Sequence, residues 1–217
     1  MVVSAEYITR EHSRTDGDPS GGTPGSGEVT GILALQGAFA EHAAMLDRLG
    51  APWRLVRDLD DLDDSIGRLI LPGGESTTQG KLLKSTGLME PIAARIADGM
   101  PVFGTCAGMI LLASHLDNDP NVYFAALDAT VRRNAYGRQL GSFATTATLT
   151  LGDDSRIADF PVVFIRGPFV AQVGSEAHVV AEVDGNVVAL RQGNVLATAF
   201  HPELTEDTRL HEYFLSL

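Results

Sequence analysis

The sequence predicts an α/β fold: an open, doubly wound, mostly parallel central sheet with helices on both faces, and an added antiparallel β-rich portion in the C-terminal half. Three observations predict it. Between residues 30 and 116, short apolar runs alternate with segments of helical periodicity. Gly37, Pro72-Gly73-Gly74 and Gly99-Met100-Pro101 punctuate that alternation. Beyond residue 144 the helical period gives way to short β-rich segments separated by Gly, Asp or Asn.

The elements follow in order. TGILAL, Thr30–Leu35, is the apolar run of a strand buried on both faces. Phe39, Ala43, Leu46 and Leu49 then recur at helical spacing, with Gly50 as the stop. WRLV, Trp53–Val56, reads as a second strand, and the acidic run DLDDLDD after it as a solvated connection. RLIL, Arg68–Leu71, is a third strand, ended by Pro72-Gly73-Gly74 and followed by helical material. PVFGT, Pro101–Thr105, is a fourth strand leading into Cys106, and MILLASHL continues as a helix. The whole reads βαβαβαβα. TTATLTL, VVFIRG, HVVAEV, NVVALRQ and VLATAF are expected to form antiparallel strands and hairpins on the same core. Thr205–Leu217 is expected to be a helix capped by Thr205, with Leu210, Phe214 and Leu217 inward.

Composition narrows the function. The chain has 217 residues, 44% of them hydrophobic and 20% charged, enough apolar material for a core. One cysteine excludes an internal disulfide and any zinc site needing two thiolates. A formal charge of −12 disfavours nucleic acid and anionic membrane surfaces as partners. No apolar run reaches the ~20 residues of a membrane span, and the N-terminus lacks a signal-peptide core. The expectation is a reduced, cytoplasmic protein. Residues 1–28, rich in Gly, Pro, Ser and Asp, read as a disordered extension, and 29–217 as one domain.

The chemical signal is Gly104-Thr105-Cys106-Ala107-Gly108, between an apolar strand and an apolar helix. This is the pattern of a nucleophile elbow: a sharp turn exposes the central side chain, and the flanking glycines remove Cβ atoms that would collide with neighbouring backbone. The helix start favours thiolate, and the Ala107 N–H is placed to hold an oxyanion. An isolated cysteine at such a place is more often a small packing residue; the flanking glycines reverse that reading.

A nucleophilic thiol needs a base. Of the six histidines, His12 lies in the extension, His178 begins a strand, and His42, His115 and His211 are expected on solvent-facing helices. His201 stands in AFHPE at a strand end. Pro202 fixes φ and keeps the chain extended, so residues i and i+2 share a side and Glu203 can orient the His201 ring. That gives a Cys106–His201–Glu203 triad. LPGGES, Leu71–Ser76, sits where open α/β sheets bind ligands, and its Gly74 N–H can complete an oxyanion hole with Ala107. The bland reading is a tight turn before a helix capped by Ser76. No cofactor or metal is called for.

Elbow plus HPE resembles the class I (triad) glutamine amidotransferases. LALQGAFAEH (33–42), LPGGESTT (71–78), GTCAGMILLA (104–113), RNAYGRQ (133–139), FIRGP (164–168) and FHPELTED (200–207) narrow it. Together they resemble the glutaminase-subunit family of pyridoxal 5′-phosphate (PLP) synthase, the PdxT/SNO family, from about Gly31 to the C-terminus. The resemblance implies hydrolysis of L-glutamine to glutamate and ammonia, with Cys106 as nucleophile and His201 and Glu203 as charge relay. It implies substrate contacts by Gly74, Glu75, Ser76, Arg133, Ile165 and Arg166, with Gln36 near the oxyanion loop. It implies a partner, the PLP synthase subunit (PdxS/SNZ-like), in an assembly of twelve glutaminase subunits on a synthase dodecamer. It further implies that the glutaminase is weak until the synthase docks and remodels that loop. Two positions depart from the family pattern: Ala144 replaces a usual Glu, and Gly167 a usual Ala. The elbow alone leaves open a cysteine hydrolase or chaperone of the same sheet type, an amidotransferase feeding another synthase, or a silent scaffold. RNAYGRQ argues against the amidotransferase of another synthase, ammonia release from glutamine separates the hydrolase and the chaperone, and a turnover assay decides the scaffold.

Overall fold

The computed structural model describes residues 29–117, 119–133, 142–152 and 155–217. The expected extension over residues 1–28 and most of RNAYGRQ lie outside the described residues. In chain order the N-terminal half runs β1 (Val29–Leu33), α1 (Phe39–Leu49), β2 (Trp53–Val56), β3 (Ile66–Leu71), α2 (Ser76–Ser85), α3 (Met89–Ala97), β4 (Val102–Thr105) and α4 (Ala107–Leu112). The rest is β5 (Ala113–Leu116), β6 (Leu127–Arg132), β7 (Ser142–Thr150), β8 (Arg156–Ile165), β9 (Phe169–Val173), β10 (His178–Val183), β11 (Asn186–Gln192), β12 (Val195–Thr198) and α5 (Arg209–Leu215).

Seven strands form the central sheet in the order β10-β11-β12-β4-β3-β1-β2. Pairings from β2 to β12 are parallel, and β11 and β10 add antiparallel strands at one edge. The central strands β1, β3, β4 and β12 are mostly buried and apolar because helices cover both faces. Alternation along β4 shows this: Phe103 packs on rings of α1 and α5, while a Cβ on Gly104 would meet Leu112 of α4 at 2.6 Å. A three-stranded sheet β5-β6-β9 and the β7–β8 hairpin complete the C-terminal half. The expected fold class therefore holds.

Several element readings need correction. No helix links β2 to β3; the acidic run makes turns, with Asp58 and Asp63 accepting backbone N–H bonds and only Leu62 entering the core. MILLASHL is not one helix, because α4 stops at Leu112 and Ala113–Leu116 pairs with β6 as a strand. The final helix starts at Arg209 rather than Thr205, whose hydroxyl instead donates to Pro202 O at 2.9 Å and closes a short 3-10 turn. Ser76 does not cap α2. Glu75 does, accepting from the N–H groups of Thr77 and Thr78 at 3.1 and 2.8 Å.

Candidate active site

The parallel order places β4, β3 and β12 side by side, so whatever follows their C-terminal ends converges. Those are Cys106, the Pro72–Ser76 loop and His201. Cys106 adopts φ 50° and ψ −98°, a left-handed conformation that a non-glycine residue holds only when its surroundings enforce it. Its N–H donates to Thr198 O on β12 at 2.7 Å. Close packing of the flanking glycines permits the turn, since a Cβ on Gly108 would lie 2.1 Å from Leu71 O.

His201 follows β12, and its N–H donates to Val163 O of β8 at 2.8 Å. Its ring nitrogen Nδ1 lies 2.7 Å from Glu203 Oε1. A carboxylate only accepts, so Nδ1–H donates to it, and the other ring nitrogen is left for Cys106, whose proximity helps raise the ring's pKa. His201 and Glu203 thus point the same way, as expected, but by a different backbone. Pro202–Leu204 is a 3-10 turn, not an extended segment.

Gly73 stands over the pair: a Cβ there would fall 2.3 Å from His201 Cε1 and 3.4 Å from Cys106 Cβ. Its N–H donates to Thr105 Oγ1 at 3.0 Å, so it is committed inward. Gln36 Oε1 accepts from the Glu75 N–H at 2.7 Å, and Gln79 Nε2 donates to Gln36 O and Pro72 O. The loop is thus anchored from both sides.

Arg133 reaches the same loop. Its guanidinium bonds Asp119 Oδ2 at 2.8 Å, Thr77 Oγ1 at 2.7 Å and Glu75 Oε1 at 3.2 Å. Ser76 is buried at the start of α2. Ile165 ends β8 with its side chain exposed, and Arg166 after it turns at φ 47°. A Cβ on Gly167 would sit 2.7 Å from Ala199 O, so this chain packs tighter there than an alanine allows.

Electrostatics follow from these contacts. Burial alone pushes the His201 pKa down; hydrogen bonds to Cys106 and Glu203 outweigh it and raise the ring to about 10. Burial raises Glu75, but bonds from Thr78 and Thr77 bring it down to about 2. The His201 shift has a signed consequence. A raised folded value makes the charge's contribution to stability complete below 6.5, the ordinary value, and lost as pH climbs through about 10. The gap in thermal midpoint between the wild type and His201→Gln therefore closes between those limits. A gap constant over that range contradicts the raised value.

Three polar groups behind the triad escaped the sequence reading. His42 and His211 are fully buried, not solvent-facing, while His115 is exposed but on β5 rather than a helix. With Thr105 they back onto Glu203. A signal was present: His42 falls on the stripe Phe39–His42–Ala43–Leu46, and His211 beside Leu210 and Phe214.

A family model described as the SNO glutamine amidotransferase family matches residues 32–217. The chain belongs to the SNO glutamine amidotransferase family. Among its relatives, the pyridoxal 5′-phosphate synthase subunit PdxT of Bifidobacterium longum (strain NCC 2705) is 75% identical over 190 residues, covering 87% of this chain and all of that one. That of Streptococcus pneumoniae (strain CGSP14) is 49% identical, covering 86% of this chain and 95% of its own. A solved glutamine amidotransferase superposes with a TM-score of 0.80 at 44% identity, over 86% of this chain and 97% of that one. PurLQS from Thermotoga maritima, at 16% identity and a TM-score of 0.65, covers 88% of this chain and 98% of that one, and shares the fold. Membership in the SNO family fixes the chemical class as glutamine amide transfer, and the elbow, His201 and the glycine loop lie where a sheet of this order gathers its ligands.

Proposed function

We propose that this chain hydrolyses L-glutamine to L-glutamate and ammonia through Cys106, His201 and Glu203, and hands the ammonia to a PLP synthase subunit. The observation that carries the reading is the convergence of Cys106 and His201 beneath the double-glycine loop, with His201 Nδ1 2.7 Å from Glu203 Oε1. Relatives at 75% and 69% identity are PLP synthase subunits by name, which supports the destination of the ammonia.

The reaction then runs as follows. Beside the protonated His201, Cys106 reacts as the thiolate and attacks the side-chain amide carbon of glutamine. The oxyanion that forms takes the N–H groups of Ala107 and Gly74. His201 gives its proton to the amide nitrogen, the C–N bond breaks, and ammonia leaves a γ-glutamyl thioester. Neutral His201 then takes a proton from water, hydroxide adds to the thioester carbonyl, and the thiolate departs beside the recharged ring. Glu203 keeps the ring oriented throughout. No organic cofactor or metal enters these steps.

We assign Glu75 and Ser76, which follow Gly74, and Arg133, which bonds Glu75 and Thr77, to the substrate site, together with Ile165 at the end of β8 and Arg166 after it. Arg133 is the cation suited to the α-carboxylate of free glutamine. Replacing Arg133 with alanine raises KM for glutamine by about tenfold with a smaller change in kcat. A KM within twofold of the wild type removes Arg133 from the binding site.

We read residues 29–217 as one glutaminase domain, with a synthase subunit of the kind named in its relatives as the user of its ammonia. A dodecamer of synthase carrying twelve copies of this chain is the assembly we propose, in the cytoplasm, where a lone nucleophilic thiol stays reduced. The test is stoichiometric: the chain with glutamine, with and without synthase, yields glutamate and ammonia in equal amounts, faster with synthase present. Glutamate without free or transferred ammonia excludes the reading.

A further inference from the structure

Behind the triad lies a buried polar chain that the reaction above does not use. His211 Nε2 is 3.0 Å from His42 Nδ1, and His42 Nε2 is 3.1 Å from Thr105 Oγ1 and 3.6 Å from Glu203 Oε2. Thr105 Oγ1 is 3.4 Å from Glu203 Oε1 and accepts from the Gly73 N–H. All these side chains are buried.

Proton inventory gives the chain one direction. Burial first, then the neighbouring His211 and His201, push the His42 pKa well below its ordinary value, and burial brings His211 to about 4. Both rings are therefore neutral, each with a single N–H. Suppose His42 carried its proton on Nδ1. Its bare Nε2 would face the Glu203 carboxylate, and His211 would have to hold its proton on Nδ1, a buried atom with no hydrogen-bond partner among the described residues. A buried donor without an acceptor is costly, whereas a buried acceptor without a donor costs less. The opposite assignment satisfies every donor. His211 Nε2–H donates to His42 Nδ1, and His42 Nε2–H donates to Thr105 Oγ1 and faces Glu203 Oε2. The Thr105 hydroxyl, accepting from His42 and Gly73, donates to Glu203 Oε1. Every dipole then points at the carboxylate.

We infer that His42 is a positioning residue for Glu203: its Nε2–H, fixed in that tautomer by His211 and relayed by Thr105, holds the buried carboxylate aimed at His201. The inference rests on the triad reading above. With the donors removed, Glu203 is no longer held against the ring, and His201 loses the partner that supports its charge and, through it, the activation of Cys106. The groups facing His42 are Glu203 and His201 from the His201–Leu204 segment, His211 from α5, and Thr105 with the Phe103 ring from β4.

Because Cys106 is the chain's single cysteine, its alkylation by iodoacetamide reads thiolate directly, with no need of synthase. In His42→Leu the rate near pH 6.5 falls by about tenfold while that near pH 9.5 stays within about twofold, since a thiol ionises there unaided. His42→Gln, whose amide places an N–H near the position of Nε2, keeps the low-pH rate within about threefold of the wild type. His201→Ala is the control and loses the low-pH rate. If His201→Ala keeps it, the triad reading fails. If His201→Ala loses it but His42→Leu does not, or if His42→Gln falls as far as His42→Leu, the inference is overturned and His42 is packing. Should His42→Leu fail to melt cooperatively, the isosteric Thr105→Val, which breaks the same relay, carries the same expectation and is overturned by the same unchanged rate.

Discussion

With Cys106 replaced by alanine, glutamine hydrolysis falls by at least about 10⁴-fold while the thermal midpoint stays within about 3 °C of the wild type. The size of the loss follows from the site. His201 is raised to about 10 and serves as an acid at neutral pH, so it cannot by itself activate water for direct attack on an amide. Only the thiolate supplies a nucleophile in that protonation state. The small stability change follows from packing. Alanine keeps the Cβ near Gly73 and the backbone bond to Thr198, and the left-handed φ of 50° is as strained for alanine as for cysteine. Glutamate release above about 1% of the wild-type rate in a well-folded variant removes Cys106 from the chemistry.

The second large effect is on the fold. Gly108→Ala lowers stability by about 3 kcal/mol, a fall of roughly 10 °C in thermal midpoint for a domain of this size. A Cβ at Gly108 would lie 2.1 Å from Leu71 O and 3.0 Å from Leu71 C. Both are backbone atoms of β3, so no side-chain rotation relieves the clash, and α4 has to lift off the sheet. The elbow lifts with it, since Cys106 O accepts from Ile110 within the same helix start. Gly50→Ala is the matched control: its Cβ meets nothing within 4 Å, and its cost is confined to the positive φ of 62°. Equal midpoints for the two variants contradict the close-packing account of the elbow.

Most of this architecture was legible because the physical demand was local. The glycines at 104 and 108 are spaced by the need to bring a strand, a helix and a neighbouring strand together at one point. The His201–Glu203 pairing was legible as a relation but not as a backbone: two residues apart, an extended segment and a 3-10 turn across Pro202 can both bring the side chains together. MILLASHL misleads because an unbroken apolar run carries no period, and pairing of Ala113–Leu116 with β6 depends on distant residues. Buried His42 and His211 were misjudged by residue type, though their helical spacing marked the inward face. Their mutual partners come from α1, β4 and α5, which no local pattern brings together. Arg133 is bound by two carboxylates and a hydroxyl, of which Asp119 belongs to no quoted motif.

The central claim is that Cys106 turns glutamine into ammonia for a PLP synthase subunit. Its most direct measurement is PLP formation by that synthase, mixed with the wild-type chain or with Cys106→Ala and supplied with either glutamine or an ammonium salt. The account predicts PLP from glutamine with the wild type, none from glutamine with the variant, and PLP from ammonium with both. PLP from glutamine in the presence of Cys106→Ala, or no PLP from glutamine with the wild type while ammonium supports synthesis, contradicts it.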